Sequence, residues 1–72
     1  MTADTTEMLE IIEEAIKAEV VAYNRYSRGA ERAINNELKE LFLSLAKEEQ
    51  RHREQLVTQY ELLAGKSWQE WT

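Results

Sequence analysis

No proline interrupts this chain. From Leu9 to Leu63, on either side of one Asn-Asn pair, apolar residues return at alternating steps of three and four. Proline would break a helix interior, and the three-four period is that of one helix face. The sequence therefore predicts two long helices and a tight link. The first opens at Asp4-Thr5-Thr6-Glu7, a capping box. Its seam runs through Leu9, Ile12, Ile16, Glu19, Tyr23, Tyr26, Ala30 and Ala33. Gly29 lies inside it and costs about 1 kcal/mol relative to alanine, an expense that close packing on a neighbouring helix would explain. Asn35-Asn36 suits a turn and a helix N-cap. The second seam is Leu38, Phe42, Leu45, Glu49, His52, Leu56, Tyr60 and Leu63, ended by Gly65 as a C-cap residue. Ser67-Trp68-Gln69-Glu70 reads as another capping box. Residues 1–72 are thus expected to form one helical hairpin domain. Its helices should cover about 5–33 and 37–64, and a short helix at about 68–71 should pack Trp68 and Trp71 on the hairpin or on another subunit.

Two helices in 72 residues make a marginal core, and chains this short usually need disulfides, metal or a partner subunit. The absence of cysteine removes disulfides, thiolate metal sites and cysteine nucleophiles. A formal net charge of −5 argues against nucleic acid as a partner. No stretch is long and apolar enough to span a bilayer. The opening MTADTTE has neither the basic region nor the apolar run of a signal peptide, so a cytoplasmic location is expected.

Most charges belong on solvated faces. Glu13 with Lys17, and Glu49 with Arg53, stand at i,i+4 spacing. Glu7, Glu10 and Glu14 are expected to face solvent. Glu19, Glu49 and His52 are different, because each sits where the seam asks for an apolar side chain. Burying an unpaired carboxylate costs several kcal/mol, so something must compensate. In an antiparallel hairpin turning near Asn35, facing residues have numbers summing to roughly 70. Glu19 then lies level with residue 51, between Glu49 and His52. Three polar interruptions on two helices converge at one height. Glu49 and His52, at i,i+3, share a face and can serve the same metal ion or adjacent ones. The bland alternative is a buried, hydrogen-bonded Glu–His pair.

One hairpin supplies two carboxylates and one imidazole, and leaves its apolar seams half covered. A two-fold copy would answer both shortages, giving a four-helix bundle with four carboxylates and two histidines. That ligand set is similar to that of ferritin-like di-iron and di-manganese bundles. It would also neutralise two divalent ions.

Two runs carry a closer resemblance. E-V-V-A-Y-N-R-Y, from Glu19 to Tyr26, resembles the first-helix motif of rubrerythrins, in which the glutamate is a ligand and an arginine–tyrosine pair follows. L-A-K-E-E-Q-R-H, from Leu45 to His52, resembles the matching ExxH motif of the second helix. Rubrerythrins usually carry two such hairpins in one chain, and often a four-cysteine rubredoxin domain. This chain has one hairpin and no cysteine. It is more similar to the encapsulated ferritins, short hairpins that complete a di-iron site on dimerisation. The spacing of 49 − 19 = 30 residues between the glutamates fits that group's short turn. A-G-K-S-W-Q-E-W resembles its tryptophan-bearing short final helix.

The resemblance implies an all-α hairpin that dimerises into a ferritin-like four-helix bundle. It implies two iron ions per dimer on Glu19, Glu49 and His52, with manganese or zinc as substitutes, and rings of dimers as a higher assembly. Tyr26 corresponds to the tyrosine near the metals in that group. Tyr26 or Tyr23 would hydrogen-bond a ligand carboxylate; the other reading makes each a core aromatic. Glu48 is turned about 100° from Glu49 and is expected at the surface or against another dimer. The implied activity is a ferroxidase that oxidises Fe(II) to Fe(III), serving iron storage or detoxification inside an encapsulin nanocompartment. No shell-targeting peptide follows the hairpin up to Thr72, which leaves two options: the segment has been removed, or the protein is not shell cargo. Two other functions stay open, a rubrerythrin-like peroxide reductase and a non-catalytic helical dimerisation module whose polar seam residues fix register.

Overall fold

The computed structural model describes residues 4–69. Two helices, α1 (Thr5–Glu31) and α2 (Asn36–Ala64), pack antiparallel as a hairpin, and no strand occurs among the described residues. The architecture is all-α. At about 1.5 Å per residue, helices of 27 and 29 residues run about 40 Å each.

The ends form where side chains supply what the backbone lacks. Asp4, in extended conformation, accepts the Glu7 N–H at 2.8 Å. Asn35 does the same for the Leu38 N–H at 2.7 Å. This second cap explains why α1 stops at Glu31 rather than near residue 33. Asn35 must be extended (φ −152°, ψ 166°) to cap α2, so the chain leaves α1 earlier, with the Arg32 N–H closing the last turn on Arg28 and Gly29 carbonyls at 3.2 Å. Gly65 adopts φ 71° at the other end of α2 and donates its N–H to the Glu61 carbonyl at 2.9 Å. A left-handed residue there favours glycine.

Of the short helix expected at about 68–71, only Trp68 and Gln69 are among the described residues, and they and Ser67 are irregular. The Trp68 N–H is donated to the Glu61 carboxylate at 2.9 Å, and its ring meets Tyr60 edge-on at 4.9 Å. Side chains of α2 thus hold the Trp68 backbone N–H and ring, while its indole Nε1 is buried with no hydrogen-bond partner among the described residues. Glu70 and Trp71 lie outside the described residues.

The packing is thin. The molecule measures 49 × 27 × 15 Å, a plate one helix thick. Among the described residues the buried apolar side chains are Ile16, Ala30 and Ala46. Two of the three are alanines, which let the helix backbones approach closely. Ala46, not the expected Leu45, is the buried residue at its height, and Leu45 is half-buried beside it. The other seam residues are half-buried, except Leu63 at 42% exposure. Gly29 makes a close approach: a Cβ there would come within 3.0 Å of the Phe42 ring, which also stacks on Tyr26 at 6.3 Å. No described helix is long and apolar enough to cross a membrane.

Candidate metal centre

The polar residues of the two seams meet near the middle of the hairpin. Ile16, on the side away from the turn, and Ala46, on the turn side, are both buried and flank the cluster. Glu19 projects from α1, and Glu49 and His52 project from successive turns of α2. One ligand atom from each of the three lies within 4.8 Å of the others. The convergence argued from register is therefore present in one chain.

The geometry within the cluster is uneven. His52 Nδ1 stands 3.5 Å from Glu19 Oε2, at ion-pair distance but outside hydrogen-bond geometry. That Glu19 oxygen is buried and has no hydrogen-bond partner among the described residues. The Glu19 side chain keeps only 21% of its exposure, whereas His52 keeps 44%. The Glu19 carboxyl is held above the usual glutamate range. Hydrogen bonding with Glu49 is the main cause, followed by burial and by the Glu49 negative charge, while His52 pulls the other way. Two carboxylates that close in a half-dry layer disfavour each other's ionised forms.

A divalent cation fits this arrangement. It would give the unpartnered oxygen a partner and remove the repulsion between the carboxylates. Oxygen and imidazole nitrogen donors suit iron, and manganese and zinc use overlapping ligands. An ordinary Glu–His pair would need His52 Nδ1 to close the 3.5 Å gap to Glu19 Oε2, and it would leave the Glu49 carboxylate facing that of Glu19.

A groove of about 260 Å³ opens beside the cluster, lined by Glu19, Val20, Tyr23, Asn24, Glu49, Gln50 and Arg53. Tyr23 therefore shares a wall with both carboxylates. Tyr26 lies two turns along α1 with its ring against Phe42. One contact was not anticipated from sequence. Glu48, expected at the surface or against another dimer, is half-exposed, yet its Oε2 lies 3.7 Å from His52 Nε2 and 3.0 Å from Arg51. The signal was available: Glu48 and His52 are at i,i+4, which brings side chains together on one helix.

A long helical hairpin with a carboxylate–imidazole cluster on its facing seams is a ferritin-like chain in fold and in site chemistry. The chain belongs to the rubrerythrin family, whose model matches residues 10–68, a span that includes both faces of the cluster. No curated protein and no solved structure matches the chain. Membership in this ferritin-like di-iron family implies iron binding.

Proposed function

We propose that Glu19, Glu49 and His52 are metal ligands. Two copies of the hairpin pair across their open seams and hold two iron ions between them, and the assembly is a ferroxidase. The observation that carries this reading is the buried, unpartnered Glu19 Oε2 inside a three-residue donor cluster. Pairing is supported by the shape of the hairpin. A plate 15 Å thick, with Ile11, Val21, Leu41, Leu43 and Leu62 all about half-exposed or more, leaves much apolar surface for a second layer.

Iron bound there would supply one-electron chemistry, with dioxygen or peroxide as the electron acceptor and solvent protons balancing its reduction. The chain's own residues do the rest. Glu19 and Glu49 are hard oxygen donors that favour Fe(III). His52 adds a nitrogen donor. Ile16, Leu45 and Leu56 would form apolar layers that keep water from the site once two hairpins pair. Tyr23, on the groove wall, is placed to donate its hydroxyl to a ligand carboxylate, and Tyr26 is the alternative two turns away. A hairpin pair has no large cavity, so storage of the product calls for a compartment. An encapsulin shell in the cytoplasm would supply one, as for the encapsulated ferritins that the chain resembles, with rings of dimers as the larger assembly.

Sedimentation with and without Fe(II) tests the shared site, since iron should favour the dimer. A monomer that binds one iron tightly and stays monomeric would sink it. Aerobic Fe(II) addition should produce Fe(III) absorbance faster than buffer alone, and His52→Ala should reduce the excess. Equal rates for protein and buffer would remove the ferroxidase and leave metal binding standing. The family match favours a second reading, peroxide reduction with electrons from an external donor. It requires catalytic peroxide loss beyond the bound iron when a donor is supplied.

A further inference from the structure

We propose that Glu48 is a positioning residue for the metal centre: its carboxylate takes the N–H of His52 Nε2 and leaves the Nδ1 lone pair facing Glu19 and Glu49. The inference rests on reading those three residues as ligands. His52 stands between two carboxylates, with Nδ1 3.5 Å from Glu19 Oε2 and Nε2 3.7 Å from Glu48 Oε2. A neutral imidazole carries one N–H and one lone pair, and the partner of one nitrogen decides the state of the other. A carboxylate on each side lets both tautomers form. Only the one protonated at Nε2 can offer Nδ1 to a cation held by Glu19 and Glu49.

Helix geometry lets Glu48 do this although its neighbour Glu49 belongs to the cluster. Glu49 precedes His52 by three residues and Glu48 by four, so the two carboxylates flank the ring from different sides. Arg51 meets the same Glu48 oxygen at 3.0 Å, on the side of the helix that faces the ring. The 3.7 Å gap exceeds a direct hydrogen bond of about 3 Å. A small rotamer change, or one bridging water, closes it, and Glu48 is exposed enough to have room for either. His52 is 44% exposed, so without Glu48 water can accept from Nε2–H in its place, though less strongly than a carboxylate. The effect on metal affinity is therefore at the lower end of the usual range for outer partners of a ligand histidine, about tenfold.

His52 is the chain's single histidine, so its imidazole signal can be read without assignment ambiguity. Nitrogen-15 NMR of the metal-free full chain in mildly alkaline buffer reads the tautomer. Calorimetric titration with Zn(II) reads affinity. Wild type should be mainly protonated at Nε2. Glu48→Ala should shift the population toward Nδ1–H and weaken Zn(II) binding about tenfold. Glu48→Gln keeps an acceptor oxygen, so it should keep the tautomer and recover part of the affinity. Glu40→Ala removes an equal charge from an exposed position two turns earlier on α2 and should change neither reading. An unchanged tautomer or unchanged Zn(II) affinity in Glu48→Ala overturns the proposal, as does an equal loss of affinity in Glu40→Ala, which would make the effect one of charge alone. Failure of wild type to bind Zn(II) removes the ligand reading itself; the tautomer comparison then still reports whether Glu48 holds the ring.

Discussion

Near the turn, α1 carries Gly29 where a helix would rather have alanine; ten residues earlier it carries Glu19 where a packed seam would rather have leucine. The two exceptions have different outcomes in the fold. Phe42 occupies the space a Gly29 side chain would need, and Tyr26 stacks on the same ring. That departure is resolved within the chain. Glu19 meets Glu49 and His52 but keeps a buried oxygen without a hydrogen-bond partner among the described residues. Nothing in the described hairpin completes it. A rule broken and repaired by a neighbour reports on packing. A rule broken and left unrepaired points to something the isolated chain does not contain.

The strongest way to break this contrast is Glu19→Leu. It should abolish stoichiometric metal binding and Fe(II) oxidation while filling the seam. Buried ionic groups replaced by apolar residues set the scale, so the metal-free protein should be as stable as wild type or more so, by about 1–4 kcal/mol. Thermal melts in chelator and in Fe(II) separate the outcomes: the variant should melt at or above wild type without metal and gain little from adding it. A variant melting well below wild type in chelator would mean that Glu19 has a structural partner, and the register-device reading would then be the better one.

A pH series sharpens the same point with a smaller effect. Folding raises the Glu19 pKa, so the folded chain holds that proton more tightly than the unfolded chain. The associated stability is fully present below the ordinary glutamate pKa and is lost as pH rises through the raised value. Without metal, wild type should therefore lose melting temperature across that window relative to Glu19→Gln, which has no proton to lose. Parallel pH curves would remove the strained carboxylate from the account. The smallest expected change is at the other exception. Gly29→Ala gains about 1 kcal/mol of helix propensity but pushes a methyl to 3.0 Å from Phe42. Overpacking costs about 1–3 kcal/mol, so a net loss of about 1 kcal/mol is expected in a denaturant melt, with metal binding unchanged. A stabilised variant would show that the ring yields easily.

Much of this arrangement was legible because its signals are local. The three-four period, Asp4, Asn35 and Gly65 act within a turn or two of themselves, and the helices and their caps follow from them. The meeting of Glu19 with Glu49 and His52 was legible because a short antiparallel link leaves little freedom in register. Three features escaped. Leu45 and Ala46 exchange the buried place because closeness of approach depends on the facing helix, not on the period. Residues 67–69 stay irregular because Glu61 and Tyr60 compete for Trp68 from the side of α2. Glu48 approaches His52 through their i,i+4 spacing, a signal that the apolar seam pattern outweighed. By itself the sequence determined two helices, their direction and the height at which their polar residues meet, since these follow from spacing along one backbone. Only the tertiary structure decided which Glu19 oxygen is left without a partner and which ring nitrogen of His52 faces it, because those are distances between side chains packed from different turns and different helices.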